Sequence, residues 1–298
     1  MRHDLDISIF HAVLDAGSFS AAARALGMTH SAVSKRVSQL EERLGVQLLV
    51  RSTRQMHLTQ AGELYSRETR EILRRLETIE DEISEGTGEL RGGIRVTTSN
   101  ALGQMHVVPA LLEFMRQHPQ VEIDLTITDG IVDLLRERMD IAIRSAKLPD
   151  SSLMSRKLIT NRRIVCAAPS YLDRHGRPRR PRDLADHRCM RLNLPGAFND
   201  WGLQWEGGQR HELGRGFACN SLETLHTACR AGHGIAWLPM FLVAQDIDAG
   251  LLVPLLDEYR DPESDTSISI VRPEMDLVPR RIRALVDFLV DHFRQLVL

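Results

Sequence analysis

"SFSAAARALGMTHSAVSKRVSQLEERLG", residues 18–45, divides around Gly27 into two short helical patterns. Ser20 is placed to cap the first, whose Ala21, Ala22, Ala23 and Ala25 are small enough for another helix to approach closely. Thr29 caps the second. There Val33, Val37, Leu40 and Leu44 recur at steps of four, three and four, a stripe that predicts one buried helix face. At about 100° per residue, Ser31, Ser34, Lys35 and Ser38 fall on the opposite side. The face turned from the core therefore carries short hydrogen-bonding groups and one cation, with His30 at its rim.

Outward from this pair the pattern continues in both directions. Ile9, Phe10, Val13 and Leu14 mark an amphipathic helix over Leu5–Ala16 that Gly17 can end. After Gly45, "VQLLVRSTRQMHLT" (46–59) reads as strands Leu48–Val50 and Met56–Leu58 around a basic tip at Arg51–Arg54, the pattern of a wing. Tyr65, Thr69, Ile72, Leu76, Ile79 and Ile83 then alternate steps of four and three along a charged helix, which is the spacing of a coiled-coil seam and implies a second copy of the chain. "EGTGELRGG" (85–93) reads as a hinge. From Ile94 the texture is strand, helix, strand: "IRVTTSN", "VVPALLEFMRQH", "VEIDLTIT", a helix "IVDLLRER" and "DIAIRS", the βαβ rhythm of a parallel sheet. A second set ("RIVCAA", "CMRLN", "GFACN" and "GIAWLP" as strands, "LETLHTACRAG" and "MFLVAQDIDAG" as helices) predicts another α/β lobe. "SISIV" and "RIRALVDFLVDHF" return to the first, leaving two crossover strands as a hinge.

The chain has 298 residues, 43% of them hydrophobic, ample for more than one core. Its formal charge of −2 excludes a uniformly basic coat, yet residues 24–59 hold six cations (Arg24, Lys35, Arg36, Arg43, Arg51, Arg54) against Glu41 and Glu42. A local patch, not the whole surface, would meet an anionic polymer. The four cysteines are scattered without a CxxC pair, so reduced structural thiols are expected; a redox switch between Cys219 and Cys229 is the alternative, disfavoured because no cationic stretch adjoins either. No HExxH, GxSxG, GxxxxGK[ST] or helix-opening GxGxxG occurs, which argues against the commonest enzyme classes, and neither a metal nor a cofactor is expected. An exported solute-binding protein would suit two lobes but not the missing export signal; a cytoplasmic protein with no membrane partner is the reading.

A helix of this kind fits the DNA major groove, with its N-terminal residues reaching base edges. His30, Ser31, Ser34, Lys35 and Ser38 are the candidates there, and Arg51, Thr53 and Arg54 of the wing suit phosphates. In the lobes, ligands of open parallel sheets bind beyond strand C-termini near helix N-termini, which singles out Ser99, Asn100, Thr128, Arg144 and Ser221. Arg144 can grip a carboxylate as a bidentate fork. Equally, Ser99, Asn100 and Ser221 can serve as helix caps and Arg144 as a salt bridge between lobes.

Phe10–Tyr65 resembles the winged helix-turn-helix of LysR-type transcriptional regulators, and "DIAIR", "PSYLDRHGRPRRPRDLADHRC", "AGHGIAWLP" and "GLLVPLL" are similar, in order, to that family's effector domain, with the flavour of its CrgA-like subgroup. The resemblance implies an α+β multidomain fold: a winged helix-turn-helix over 1–59, a linker and dimerisation helix with hinge over 60–92, and a two-lobed α/β domain of the type 2 periplasmic-binding-protein kind over 93–298. Its lobe I would span about 93–162 and 267–298, and its lobe II about 163–266. It implies a non-catalytic regulator that binds double-stranded promoter DNA as a homodimer or homotetramer. The dimer would form through Tyr65, Ile72, Leu76, Ile79 and Ile83, and a small effector in the cleft, an organic anion by the arginine's chemistry, would alter RNA polymerase recruitment. Leu49 stands where the family commonly has phenylalanine, Ser31 where it often has proline, and Ala146 where a glycine often follows the arginine.

Overall fold

Thr29 opens the second helical pattern as its hydroxyl chemistry dictates: Oγ1 accepts the Ala32 N–H at 3.2 Å, satisfying one of the donors a helix start leaves open. In the computed structural model, which describes residues 2–51, 56–83, 89–145, 153–194, 199–205, 212–275 and 277–296, the chain divides into two compact units. One is 1–88 with 277–279; the other is 89–276 with 280–298.

The first unit begins with α1 (Arg2–Ala16), α2 (Phe19–Ala25) and α3 (His30–Leu44). Ile9, Phe10 and Val13 of α1, Ala22 and Ala23 of α2, and Val33, Val37 and Leu40 of α3 close on one core with Leu48 and Leu49. Two expectations need correction. Ser18, not Ser20, caps α2, accepting from Ala21 N–H at 3.2 Å, because the helix starts at Phe19, whose ring packs onto that core. Leu44 is 40% exposed: it shares the face of Val33 and Val37 but sits in the last turn, beyond the packed segment. Gly45 then takes the left-handed conformation at φ +68° that ends α3.

The wing is the hairpin of β1 (Leu49–Arg51) and β2 (Met56–Leu58), with Leu49 opposite Leu58. Glu41 anchors its entry, its Oε1 accepting from Leu48 and Leu49 N–H at 2.8 and 3.1 Å. The long helix α4 (Gln60–Ile83) follows. Its first turns are tied to α1: Tyr65 meets Phe10 edge-on at 5.5 Å between centroids, and Thr69 Oγ1 lies 2.9 Å from His11 Nε2.

In the second unit, β3 (Arg91–Thr98) starts inside the stretch expected as a hinge, so Arg91, Gly92 and Gly93 are strand residues paired with Gln120, Val121 and Glu122. After β3 come α5 (Asn100–Leu102), a π-helical turn at Gly103–Val107, α6 (Val108–Gln117), β4 (Gln120–Ile127) and β5 (Ile141–Ser145). No helix forms at "IVDLLRER". Asp133 caps a single turn there, its Oδ1 accepting from the Leu135 and Arg136 N–H groups at 3.1 Å each and its carbonyl from Glu137 N–H at 2.8 Å, and left-handed Arg138 at φ +61° ends that turn before a helix can extend.

The chain crosses to the other lobe along β6 (Leu153–Asn161), which leads into β7 (Arg163–Ala167). There follow α7 (Pro169–His175), β8 (Arg191–Leu192), β9 (Ala218–Cys219), α8 (Leu222–Arg230), β10 (Ile235–Pro239), α9 (Met240–Asp248) and β11 (Val253–Leu255), before β12 (Thr266–Pro273) and α10 (Arg280–Arg294) return. The first sheet has the order β4-β3-β5-β12-β6, with β3 parallel to β4 and β5 but β12 antiparallel to both its neighbours. The second sheet, β10-β7-β11, is antiparallel throughout, whereas β8 and β9 pair in parallel beside it. β6 and β11 are strands beyond those the sequence pattern singles out. Every residue of β7 is buried, and its alternation splits the lobe into two cores: Ile164 and Cys166 face α8 and α9, whereas Val165 and Ala167 face Tyr171, Trp201 and Trp237.

Candidate functional site

The exposed side of α3 is built by its own stripe. Val33, Val37 and Leu40 are fully buried, which turns Ser31 and Lys35 outward as exposed side chains and leaves Ser34 and Ser38 half-buried beside them. Ser31 Oγ lies 3.1 Å from Thr29 Oγ1, and exposed His30 tilts against Phe19 with centroids 6.1 Å apart. Arg36 and Arg43, counted in the basic patch, are already paired: Asp6 of α1, 7% exposed, lies 3.1 Å from Arg36 and 3.7 Å from Arg43. The patch offered outward by α3 is accordingly narrower than the charge count suggested. Arg51 ends β1; Thr53 and Arg54 lie outside the described residues.

The seam on α4 separates into two parts. Tyr65 is used within the chain, against Phe10, and burial raises its phenol pKa above the ordinary value. Ile72, Leu76 and Ile79 are 60, 42 and 41% exposed, an apolar row that its own unit does not cover. The side chain of Ile83 lies outside the described set.

In the second unit a cavity of about 290 Å³ opens between the two sheets. Lobe I contributes Ser99, Asp129, Ile131, Val132 and Arg144 among others; lobe II contributes Arg163, Leu192, Leu194 and Leu222. Of the five effector candidates, Ser99 and Arg144 line it and three do not. Asn100 donates its backbone N–H and its Nδ2 to the two oxygens of Asp129, at 2.9 and 2.8 Å, so an internal carboxylate already occupies that helix start. Thr128 Oγ1 accepts from Gly130 N–H at 3.1 Å. Ser221 caps α8, accepting from Thr224 N–H at 3.1 Å while donating to Glu223 at 2.8 Å.

Arg144 stays within lobe I, donating to the Thr128 carbonyl and to Thr97 Oγ1 at 3.0 Å. Burial lowers its pKa, opposed by Asp129 and Glu137. Sequence reasoning passed over Arg163, Asp129 and the apolar walls. A cation opening the hydrophobic run "RIVCAA" was the available signal, since arginine is seldom fully buried without a partner. Arg163 is 8% exposed, with Cζ 4.8 Å from the centroid of the Trp237 ring, and burial pushes its pKa down to about 10. Among the described residues no group of three or more His, Cys, Asp or Glu side chains is placed to hold a metal ion, and no helix is long and apolar enough to cross a membrane.

A three-helix unit with a wing, a long helix after it, and a two-lobed domain with a cavity define a DNA-binding regulator with a ligand-binding module. Residues 5–63 match the family described as bacterial regulatory helix-turn-helix protein, lysR family, and residues 87–294 match the LysR substrate binding domain, so the chain belongs to the LysR-type transcriptional regulators. It is 35% identical over 286 residues to the HTH-type transcriptional regulator CrgA of Neisseria meningitidis serogroup C (strain 8013), covering 96% of this chain and 95% of that protein. The solved structure of CrgA from Neisseria meningitidis matches with a TM-score of 0.64 at 35% identity, covering 97% of this chain and 98% of that one. That of AphB, the Vibrio cholerae virulence activator, matches at 0.59 and 26% identity, covering 96% and 98%. The relatives are named as regulators and not as enzymes, in keeping with the absence of catalytic motifs.

Proposed function

We propose that this LysR-type regulator reads promoter DNA with the start of α3. Ser31, Ser34, Lys35 and Ser38 enter the major groove, His30 sits at its edge, and Arg51, Thr53 and Arg54 of the wing lie along the phosphates. The observation that carries this reading is the outward face of α3: exposed Ser31 and Lys35 backed by fully buried Val33, Val37 and Leu40, so the groups that would touch bases are held by a rigid core. Serines discriminate weakly one at a time, so two half-sites are required. Ile72, Leu76 and Ile79 supply the seam between two copies, and a dimer of dimers is the assembly on DNA.

A small effector in the cavity between the lobes, touching Ser99 and Arg144, then favours one arrangement of the DNA-binding units over another. It can switch only by binding one arrangement better. The protein acts in the cytoplasm, and RNA polymerase recruitment is the output. The test is footprinting of the intergenic interval beside its gene across a salt series: Lys35→Ala weakens protection and, by taking one cation out of the groove, lowers the slope of log K against log salt by about one released counterion. Unchanged protection and slope would remove Lys35, and with it this docking, from the reading.

A further inference from the structure

Arg163 is the side chain that the helix-terminus logic of the cleft leaves unexplained. It follows directly on the crossover from β6 and begins a strand whose five residues are all buried. Among the described residues its guanidinium has no hydrogen-bond partner. Its Nε is a buried donor with no acceptor, and its Cζ lies 4.8 Å from the centroid of the Trp237 ring. Burial alone depresses its pKa, with no carboxylate acting on it, whereas Arg144 on the same cavity has Asp129 and Glu137 nearby and donates to Thr128 and Thr97. A desolvated cation is normally paired or hydrogen-bonded, and an orphan donor at a cavity wall marks a place for an incoming acceptor.

The remaining walls set the rest of the ligand. Val132, Leu153, Leu192, Leu194 and Leu222 are aliphatic. Asp129 also lines the cavity, and its negative charge, held by Asn100, disfavours a dianion. The planar fork of a guanidinium matches the two oxygens of a carboxylate.

We propose that Arg163 is the anion-binding residue of the cleft and that the ligand is a small monocarboxylate with a compact apolar body, its carboxylate on Arg163 and its body against the leucines. The proposal rests on the reading of this cavity as the effector site and names the chemical class it takes. Because Arg163 belongs to lobe II and Ser99, Ile131 and Val132 to lobe I, such a ligand touches both lobes beside the crossover.

The test uses the full chain in calorimetry and thermal-shift titrations with cyclohexanecarboxylate, 3-phenylpropanoate and hexanoate, their primary amides, and inorganic phosphate. At least one carboxylate binds; its amide and phosphate bind at least tenfold more weakly. Arg163→Met, which keeps the packing against Trp237, loses at least tenfold in carboxylate affinity while its unliganded Tm is unchanged or higher; Arg163→Lys keeps part of the affinity. Equal carboxylate affinity in Arg163→Met, or an unliganded Arg163→Met that melts well below wild type, overturns the assignment. Phosphate binding as tightly as the best carboxylate overturns the apolar-body class. Amides that bind wild type and Arg163→Met alike, and are expelled by Leu192→Trp, overturn the anion while leaving the cleft reading standing; if no compound registers, both fall.

Discussion

Gly62→Ala tests whether the wing and the long helix form one rigid joint. A Cβ at position 62 would stand 2.1 Å from the Leu48 carbonyl oxygen and 2.9 Å from Leu58 Cδ2, both inside any ordinary contact. The leucine tip can rotate away, but the carbonyl is backbone and is already engaged, accepting from the Thr59 N–H at 3.0 Å. Relief therefore requires α4 to lift from the strand entry at Leu48, straining that bond and the Thr59 Oγ1 bond to the Gln47 carbonyl at 2.7 Å. Overpacking of this kind costs about 1–3 kcal/mol. A weakened backbone hydrogen bond adds about 1 kcal/mol, and the better helix propensity of alanine returns about 1 kcal/mol. The net loss of about 1–3 kcal/mol lowers the Tm of a unit of this size by roughly 5–20 °C. Differential scanning calorimetry of the full chain reads the melting of the first unit, and footprinting reads the wing. Exposed Glu63→Ala is the control and should stay within about 0.5 kcal/mol. A Gly62→Ala protein that melts with wild type and protects DNA equally would refute the rigid joint.

The exposed row on α4 predicts that Leu76→Glu or Ile79→Glu shifts the chain toward monomer in analytical ultracentrifugation while the first unit keeps its Tm; an unchanged sedimentation coefficient would count against the seam. Stability should fall on mild acidification through His106, whose imidazole is depressed by burial and by His292 and whose Nε2 is a buried atom without a partner. The unfolded chain takes up a proton near the ordinary value of 6.5 and the folded one only lower, so stability is complete above that value and is lost as pH falls below it. His106→Leu, packed against Phe241 and Phe293, should therefore show a smaller Tm drop between neutral and mildly acid buffer than wild type. Alkylation of native protein should mark half-buried Cys219 and spare Cys166, Cys189 and Cys229, which are fully buried, with the thiol of Cys189 pushed up to about 12. Rapid labelling of Cys229 would reopen the redox alternative.

What the sequence made legible was whatever depends on local periodicity. Val33, Val37 and Leu40 show their face by spacing alone, and Thr29 and Gly45 mark the ends of their helix by side-chain chemistry and backbone freedom. The failures lie where a distant or competing partner decides. At "IVDLLRER" the backbone goes left-handed at Arg138 and closes the helical pattern after the one turn that Asp133 caps. Asp6 pairs with Arg36 and Arg43 from 30 or more residues away, which no charge count over a window can register. Tyr65 continues the seam by spacing but is claimed by Phe10. The strand directions of the second lobe, set by pairing across the sheet, were equally beyond local pattern.

The cleft carries the same lesson into function. Helix starts were the expected anion sites because a free helix N-terminus offers unsatisfied N–H donors. Here the chain fills those positions itself: Asp129 takes the Asn100 donors, and Ser221, held in turn by Glu223, takes that of Thr224. An external anion arriving there would displace an acceptor already in place, with little net gain. At Arg163 no such competitor exists among the described residues, and every donor–acceptor bond formed there is new. The better anion site is thus the group whose needs the fold leaves unmet, even though a strand-embedded arginine carries no motif. Electrostatic specificity in this cleft follows from which partners the protein has already used, and that distribution is a property of the tertiary structure alone.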